Sequence, residues 1–148
     1  MILGIDTSNY TSAVAVLDEN GELVFQKREK LEVEQGKRGL RQSEAVFQHV
    51  NKLPNLITEA IANLEGQLTK IIVSNKPRSK SNSYMPVFKV GEGHAKSLAA
   101  ALDIPLLRVS HQEGHLMAGL WSSNLELDDF LAVHLSGGTS EILKVKKK

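Results

Sequence analysis

The sequence predicts a mixed α/β fold, a five-stranded sheet carrying helices on its faces. Three observations predict it. Three apolar runs at the N-terminus are joined by short turns, as in an antiparallel meander. Beyond residue 40, short apolar runs alternate with segments of helical period, the pattern of parallel strands joined by helical crossovers. Two further runs flank Gly137-Gly138 near the C-terminus and read as a hairpin.

The elements follow in order. "ILGID" (Ile2–Asp6) is an apolar run that ends in an acid, and "SAVAVLD" (Ser12–Asp18) is a second, with Thr7–Thr11 as the loop between them. Asn20-Gly21 is a tight-turn signal ahead of "ELVFQKREKLEV" (Glu22–Val33), the third strand. In "RQSEAVFQHVNKLPNLITEAIANL", Val46, Val50, Leu53, Ile57, Ile61 and Leu64 recur every three or four residues, which predicts a helix. Pro54 should kink or split it near Leu53. "KIIVSN" (Lys70–Asn75) reads as a buried strand, and "KPRSKSNSYMP" reads as a loop because of its prolines and serines. "VGEGHAKSLAAALD" is an alanine-rich helix, "PLLRVS" (Pro105–Ser110) a strand, and "HQEGHLMAGLW" a further helical segment. "FLAVHLS" and "TSEILKVK" form the closing hairpin.

Composition narrows the function classes. The 148 residues suit one domain, and 41% hydrophobic content supports a core. A formal net charge of +1 gives no bulk attraction to nucleic acid or membrane. The absence of cysteine excludes disulfides, zinc–thiolate sites and thiol catalysis. "MILGIDTSNY" lacks a basic n-region, and no window approaches the roughly 18 apolar residues of a membrane span. A cytoplasmic location is the expectation. The "KVKKK" tail reads as a solvated end.

Three stretches carry chemistry. In "GIDTSNYT", Asp6 ends a strand and Thr7 and Ser8 enter the turn. Backbone N–H groups and hydroxyls there can face phosphates, and an acid can hold a phosphate-bound magnesium through water. The same residue types also build ordinary turns. In "LSGGTSE", Gly137 and Gly138 permit close backbone approach, with Ser136 and Thr139 beside them; taken alone, this stretch reads as a plain hairpin turn. His111 and His115 stand four apart, so a helix would put both imidazoles on one face, in reach of one ion at roughly 2.0–2.1 Å. Capping and surface histidines have the same spacing. Glu113 sits two residues after His111, which is not the zincin order, so it is not assigned as a base. His49 near the apolar stripe reads as a structural histidine, Trp121 as packing, and Lys76, Arg78 and Lys80 as a solvated or phosphate-facing loop.

Taken together, these stretches resemble the catalytic subunit of the tRNA threonylcarbamoyladenosine-modification family, also labelled O-sialoglycoprotein endopeptidase or glycoprotease. "LGIDTSNYTSAVAV" is similar to its Gly-Ile-Glu-Thr-Ser strand-turn, "PLLRVSHQEGHLMAGL" to its His-x-Glu-Gly-His helix, and "FLAVHLSGGTSEIL" to its Val-Ser-Gly-Gly-His-Thr-Gln turn. The departures are Asp6 in place of Glu, Asn9-Tyr10-Thr11 in place of Asp-Glu, and "NKPRSKSNSYMP" in place of a Gly-Pro-Gly turn.

The resemblance implies an actin-like ATPase (ribonuclease H-like) fold of two lobes with a nucleotide between them. Residues 1–128 would be the first lobe and 129–148 the opening hairpin of a truncated second lobe. It implies His111 and His115 as ligands of a divalent metal, iron or zinc, with a third ligand, an aspartate, in the second lobe. Asp6, Thr7 and Ser8 would lie at the phosphates. His134, Leu135, Ser136, Gly137, Gly138 and Thr139 would line the site of ATP or threonylcarbamoyl-adenylate. The implied reaction is N6-threonylcarbamoylation of tRNA adenosine, for which a fragment of this kind would be inactive alone. The implied partners are other subunits of the modification machinery and tRNA itself; a second copy paired through the C-terminal hairpin is expected from the apolar, open-edged strands of that hairpin. Two other readings stand beside it: a non-catalytic partner subunit that dimerises with a catalytic homologue, and a metallopeptidase of the kind the glycoprotease label names.

Overall fold

The structure, a computed structural model, describes residues 1–135 and 140–146. The elements are β1 (Ile2–Asp6), β2 (Thr11–Leu17), β3 (Leu23–Lys30), α1 (Gln42–Ala62), β4 (Lys70–Lys76), α2 (Phe88–Leu102), β5 (Leu106–Ser110), α3 (His111–Ser122), β6 (Asp129–Leu135) and β7 (Ser140–Lys146). They fall into two units, Met1–His111 and Gln112–Lys148.

In the first unit the strand order is β3-β2-β1-β4-β5. β1, β2 and β3 pair antiparallel, while β4 runs parallel to β1 and β5 parallel to β4. The meander and crossovers predicted from sequence are therefore present as one mixed sheet. The β2–β3 turn is fixed by Asp18, whose Oδ1 accepts N–H bonds from Asn20 and Glu22, each at 2.8 Å. Gly21 supplies the positive φ, 82°.

Strand alternation selects the core. Leu3 faces Val16 and Ile71 in register, and Ile5 faces Val14 and Val73, so all six share one face and are buried. α1 brings Leu53, Leu56, Ile57 and Ala60 to that face, and α2 brings Val90, Ala95 and Ala99. Both helices thus lie on the same side of the sheet. Full burial of each large aliphatic side chain is worth about 1.5–3 kcal/mol.

Pro54 lies inside α1 and does not split it. The missing backbone bond costs on the order of 3 kcal/mol. Leu53, Leu56, Ile57 and Ala60 on either side are nearly or fully buried, and their packing outweighs it. The helix opens with Arg41 N–H donating to Glu44 Oε2 at 3.3 Å.

In the second unit, β6 and β7 pair from Asp129↔Lys146 to Leu135↔Ser140. One face of this hairpin carries Leu131, Val133, Leu135 and Ile142, which are 72%, 67%, 73% and 75% exposed. The alternate residues, Phe130, Ala132, His134, Glu141, Leu143 and Val145, are half-buried. α3 has no buried residue, and Trp121, expected as packing, is 52% exposed. Among the described residues, no helix is long and apolar enough to cross a membrane.

Candidate functional site

Asp6 is the centre of a polar cluster in the first unit. It ends β1, where the chain leaves the sheet, and its carboxylate collects three partners from three elements. Ser74 Oγ of β4 donates to Oδ1. Ser8 Oγ of the β1–β2 turn donates to Oδ2 at 2.7 Å. His111 Nδ1, at the first residue of α3, lies 3.1 Å from Oδ2. Burial by itself would raise the Asp6 pKa. The hydrogen bond and charge of His111, with the Ser74 and Ser8 hydroxyls, more than offset it and hold the carboxyl below its ordinary value. The His111 ring also packs at 6.1 Å from Phe88, tilted by 53°.

Thr7 stands beside Asp6 but turns inward. Its hydroxyl donates to the Val87 carbonyl at 2.9 Å and accepts from Gly91 N–H at 3.2 Å, and the residue is fully buried. A Cβ at Gly91 would meet Thr7 Oγ1 at 2.9 Å, so glycine is what lets α2 approach the turn. Asn9 takes φ 38°, and Thr11 N–H closes the turn on Ser8 O at 3.0 Å. Behind the turn, Ser12 and His49 are both fully buried and joined at 2.7 Å through Nδ1. His49 Nε2 is buried with no hydrogen-bond partner among the described residues. Burial lowers the His49 pKa; the Asn9 backbone and the Asp6 charge act in the opposite sense.

The second unit holds its own cluster. His134 of β6 and Glu141 of β7 are cross-strand partners, with His134 Nδ1 and Glu141 Oε2 4.0 Å apart. Gln112 Nε2 donates to Glu141 Oε2 at 3.0 Å and lies 3.4 Å from His134 Nδ1. The His115 and His134 rings are 6.1 Å apart between centroids.

The structure therefore joins Asp6, Ser8 and His111, and separately His115 and His134. Thr7 is adjacent to the first group with its hydroxyl spent on α2. Leu135 is exposed on the hairpin, and Ser136, Gly137, Gly138 and Thr139 lie outside the described residues. Sequence reasoning missed Ser74, Gln112 and Glu141. Glu141 had a signal, since counting outward from the glycine turn pairs it with His134. Ser74 and Gln112 had none, because both act through tertiary placement.

As metal ligands, His111 and His115 open α3 one turn apart, and imidazole nitrogen suits iron or zinc. Among the described residues, no group of three or more His, Asp or Glu side chains is placed to hold an ion. Helical spacing alone sets these two imidazoles one turn apart, and no third donor joins them among the described residues.

Comparison with known proteins gives fold and family. Solved structures resemble the chain, the following three among them. "YeaZ from Pseudomonas aeruginosa" aligns with TM-score 0.60 and 17% identity over 96% of this chain and 63% of that one. An uncharacterized protein with similarity to peptidase YEAZ, also from Pseudomonas aeruginosa, gives 0.60 and 16% over 96% and 62%. The Lmo2764 protein of Listeria monocytogenes, described as an N-acetylmannosamine kinase candidate, gives 0.52 and 18% over 89% and 43%. The chain spans less than two thirds of each. At these identities the likeness establishes the fold, which is the actin-like, ribonuclease H-like α/β fold. The family pattern described as TsaD, tRNA N6-adenosine threonylcarbamoyltransferase, matches residues 24–148, a span that holds the His-x-Glu-Gly-His helix and the glycine turn and leaves out the opening strand-turn. A match over that much of the sequence makes this chain a member of the tRNA N6-adenosine threonylcarbamoyltransferase family.

Proposed function

We propose that the chain carries part of the metal- and nucleotide-binding centre for threonylcarbamoyl transfer to tRNA adenosine, and works with partner subunits of the modification machinery. One observation carries the reading: Asp6 of the first motif holds His111, the first residue of the histidine helix. Two stretches far apart in sequence, both selected for their chemistry, thus meet.

His111 and His115 would hold a divalent metal, iron or zinc, as two imidazole donors. When bound, the metal supplies Lewis-acid polarisation of the threonylcarbamoyl carbonyl. The chain's own contribution is positional. The Thr7–Tyr10 turn would offer backbone N–H groups to ATP or threonylcarbamoyl-adenylate. Thr7 serves through its backbone, because its hydroxyl is committed to Val87 and Gly91. Two protein ligands bind a metal weakly, so the chain alone should not turn over.

Titration with zinc or cobalt tests this. Weak binding is expected, lost in His115→Ala, with no ATP hydrolysis, threonylcarbamoyl transfer or proteolysis by the chain alone. One tightly held metal per chain, or turnover that His115→Ala abolishes, would overturn the reading.

Assembly with a second copy is supported by the hairpin. Leu131, Val133, Leu135 and Ile142 present an apolar face at 67–75% exposure. Four such side chains on each copy suit a small, reversible interface rather than an obligate one. Open hairpin edges also template pairing with another chain.

A further inference from the structure

We infer that Asp6 is a positioning residue for His111, its carboxylate accepting the Nδ1 proton and thereby holding the imidazole as the Nδ1–H tautomer with the lone pair on Nε2. The inference deepens the proposed function and rests on it for the role of His111 as a ligand.

Three features of the structure support it. First, the atom that approaches Asp6 Oδ2, at 3.1 Å, is Nδ1. A carboxylate can only accept, so at a pH where the ring is neutral Nδ1 must carry the hydrogen. Second, the carboxylate is itself immobilised. Ser74 donates to one oxygen and Ser8 to the other, so Asp6 cannot swing away from His111. Third, the ring is flanked by Phe88 at 6.1 Å, which restricts rotation about its own axis. A carboxylate behind a metal-binding imidazole fixes tautomer and ring direction and raises ligand basicity. Asp6 is thus assigned to the imidazole rather than directly to a phosphate-bound cation. Ser8 belongs to the same device, since its hydroxyl is spent on the Asp6 oxygen that faces His111.

The sensitive substitution is isosteric. Asp6→Asn keeps the volume and one acceptor. The Ser74 hydroxyl claims that acceptor, and the amide N–H₂ then faces His111. An N–H donor opposite Nδ1 demands the other tautomer, as the corresponding Asp→Asn change does in serine proteases.

The experiment is long-range ¹⁵N–¹H NMR of the histidine rings of the whole chain, at mildly alkaline pH and without metal. The expected wild-type His111 pattern is Nδ1–H, the minority tautomer of a free histidine side chain. Asp6→Asn should convert it to Nε2–H. A wild-type ring in the Nε2–H form, or a tautomer unchanged by Asp6→Asn, overturns the inference. Should Asp6→Asn fail to fold, the wild-type spectrum alone still decides. A zinc titration followed on the same signals separates the two readings. Weakening by tenfold or more in Asp6→Asn is the effect expected of an outer-shell partner. A switched tautomer with unchanged zinc affinity leaves the positioning intact and overturns the metal role of His111.

Discussion

Replacing Gly91 with alanine sets two effects of opposite sign against each other within α2. Alanine is the better helix former by about 1 kcal/mol in a helix interior. Against this, its Cβ would come within 2.9 Å of Thr7 Oγ1, and within 3.4 Å of Thr7 Cγ2 and Ile5 Cγ2. Thr7 cannot step aside cheaply. It is fully buried and its hydroxyl is bonded to Val87 O at 2.9 Å. Overpacking at a fixed site costs about 1–3 kcal/mol. The clash should win, leaving Gly91→Ala less stable by about 1 kcal/mol. Gly93, two residues on in the same helix, is the internal control. Nothing lies within 4 Å of its would-be Cβ, so Gly93→Ala should stabilise by up to about 1 kcal/mol. Native-state hydrogen exchange at β1 and β4 amides reads the first unit directly, with urea unfolding followed by circular dichroism as a second measure. Thr7→Ala combined with Gly91→Ala should cost less than the sum of the two single changes, because each relieves the other. Equal signs for Gly91→Ala and Gly93→Ala would refute the reasoning and show that α2 is not seated on Thr7.

Two further outcomes follow from the same structure. Burial lowers the His49 pKa below its ordinary 6.5, so between 6.5 and the folded value the unfolded chain binds more protons; stability of the first unit should fall as pH drops below 6.5, and His49→Asn should flatten that slope, an undiminished slope counting against it. The apolar hairpin face should give a concentration-dependent dimer in light scattering that Leu131→Lys or Ile142→Lys converts to monomer; a wild-type chain that stays monomeric at every concentration with its hairpin intact would exclude pairing through it.

The sequence by itself determined what depends on neighbours along the chain. Alternation in "ILGID" and "SAVAVLD", the Asn20-Gly21 turn and the three-to-four spacing through α1 are local signals, and the sheet and helices stand where those signals put them. The motif order also carried the family, which the match over residues 24–148 establishes. Only the tertiary structure decided the rest. Pro54 breaks a rule of local propensity, and packing of Leu53, Leu56 and Ile57 against the sheet overrides it. Thr7 and Ser8 are equivalent as turn residues in sequence, yet one hydroxyl is drawn under α2 and the other onto Asp6. The pairing of Asp6 with His111, and of Ser12 with His49, depends on which strand lies beside which and on which face the helices cover. Those choices are made by burial summed over the whole core. No short window of sequence contains that sum, so a hydroxyl, an imidazole and a carboxylate acquire their partners only once the sheet has closed around them.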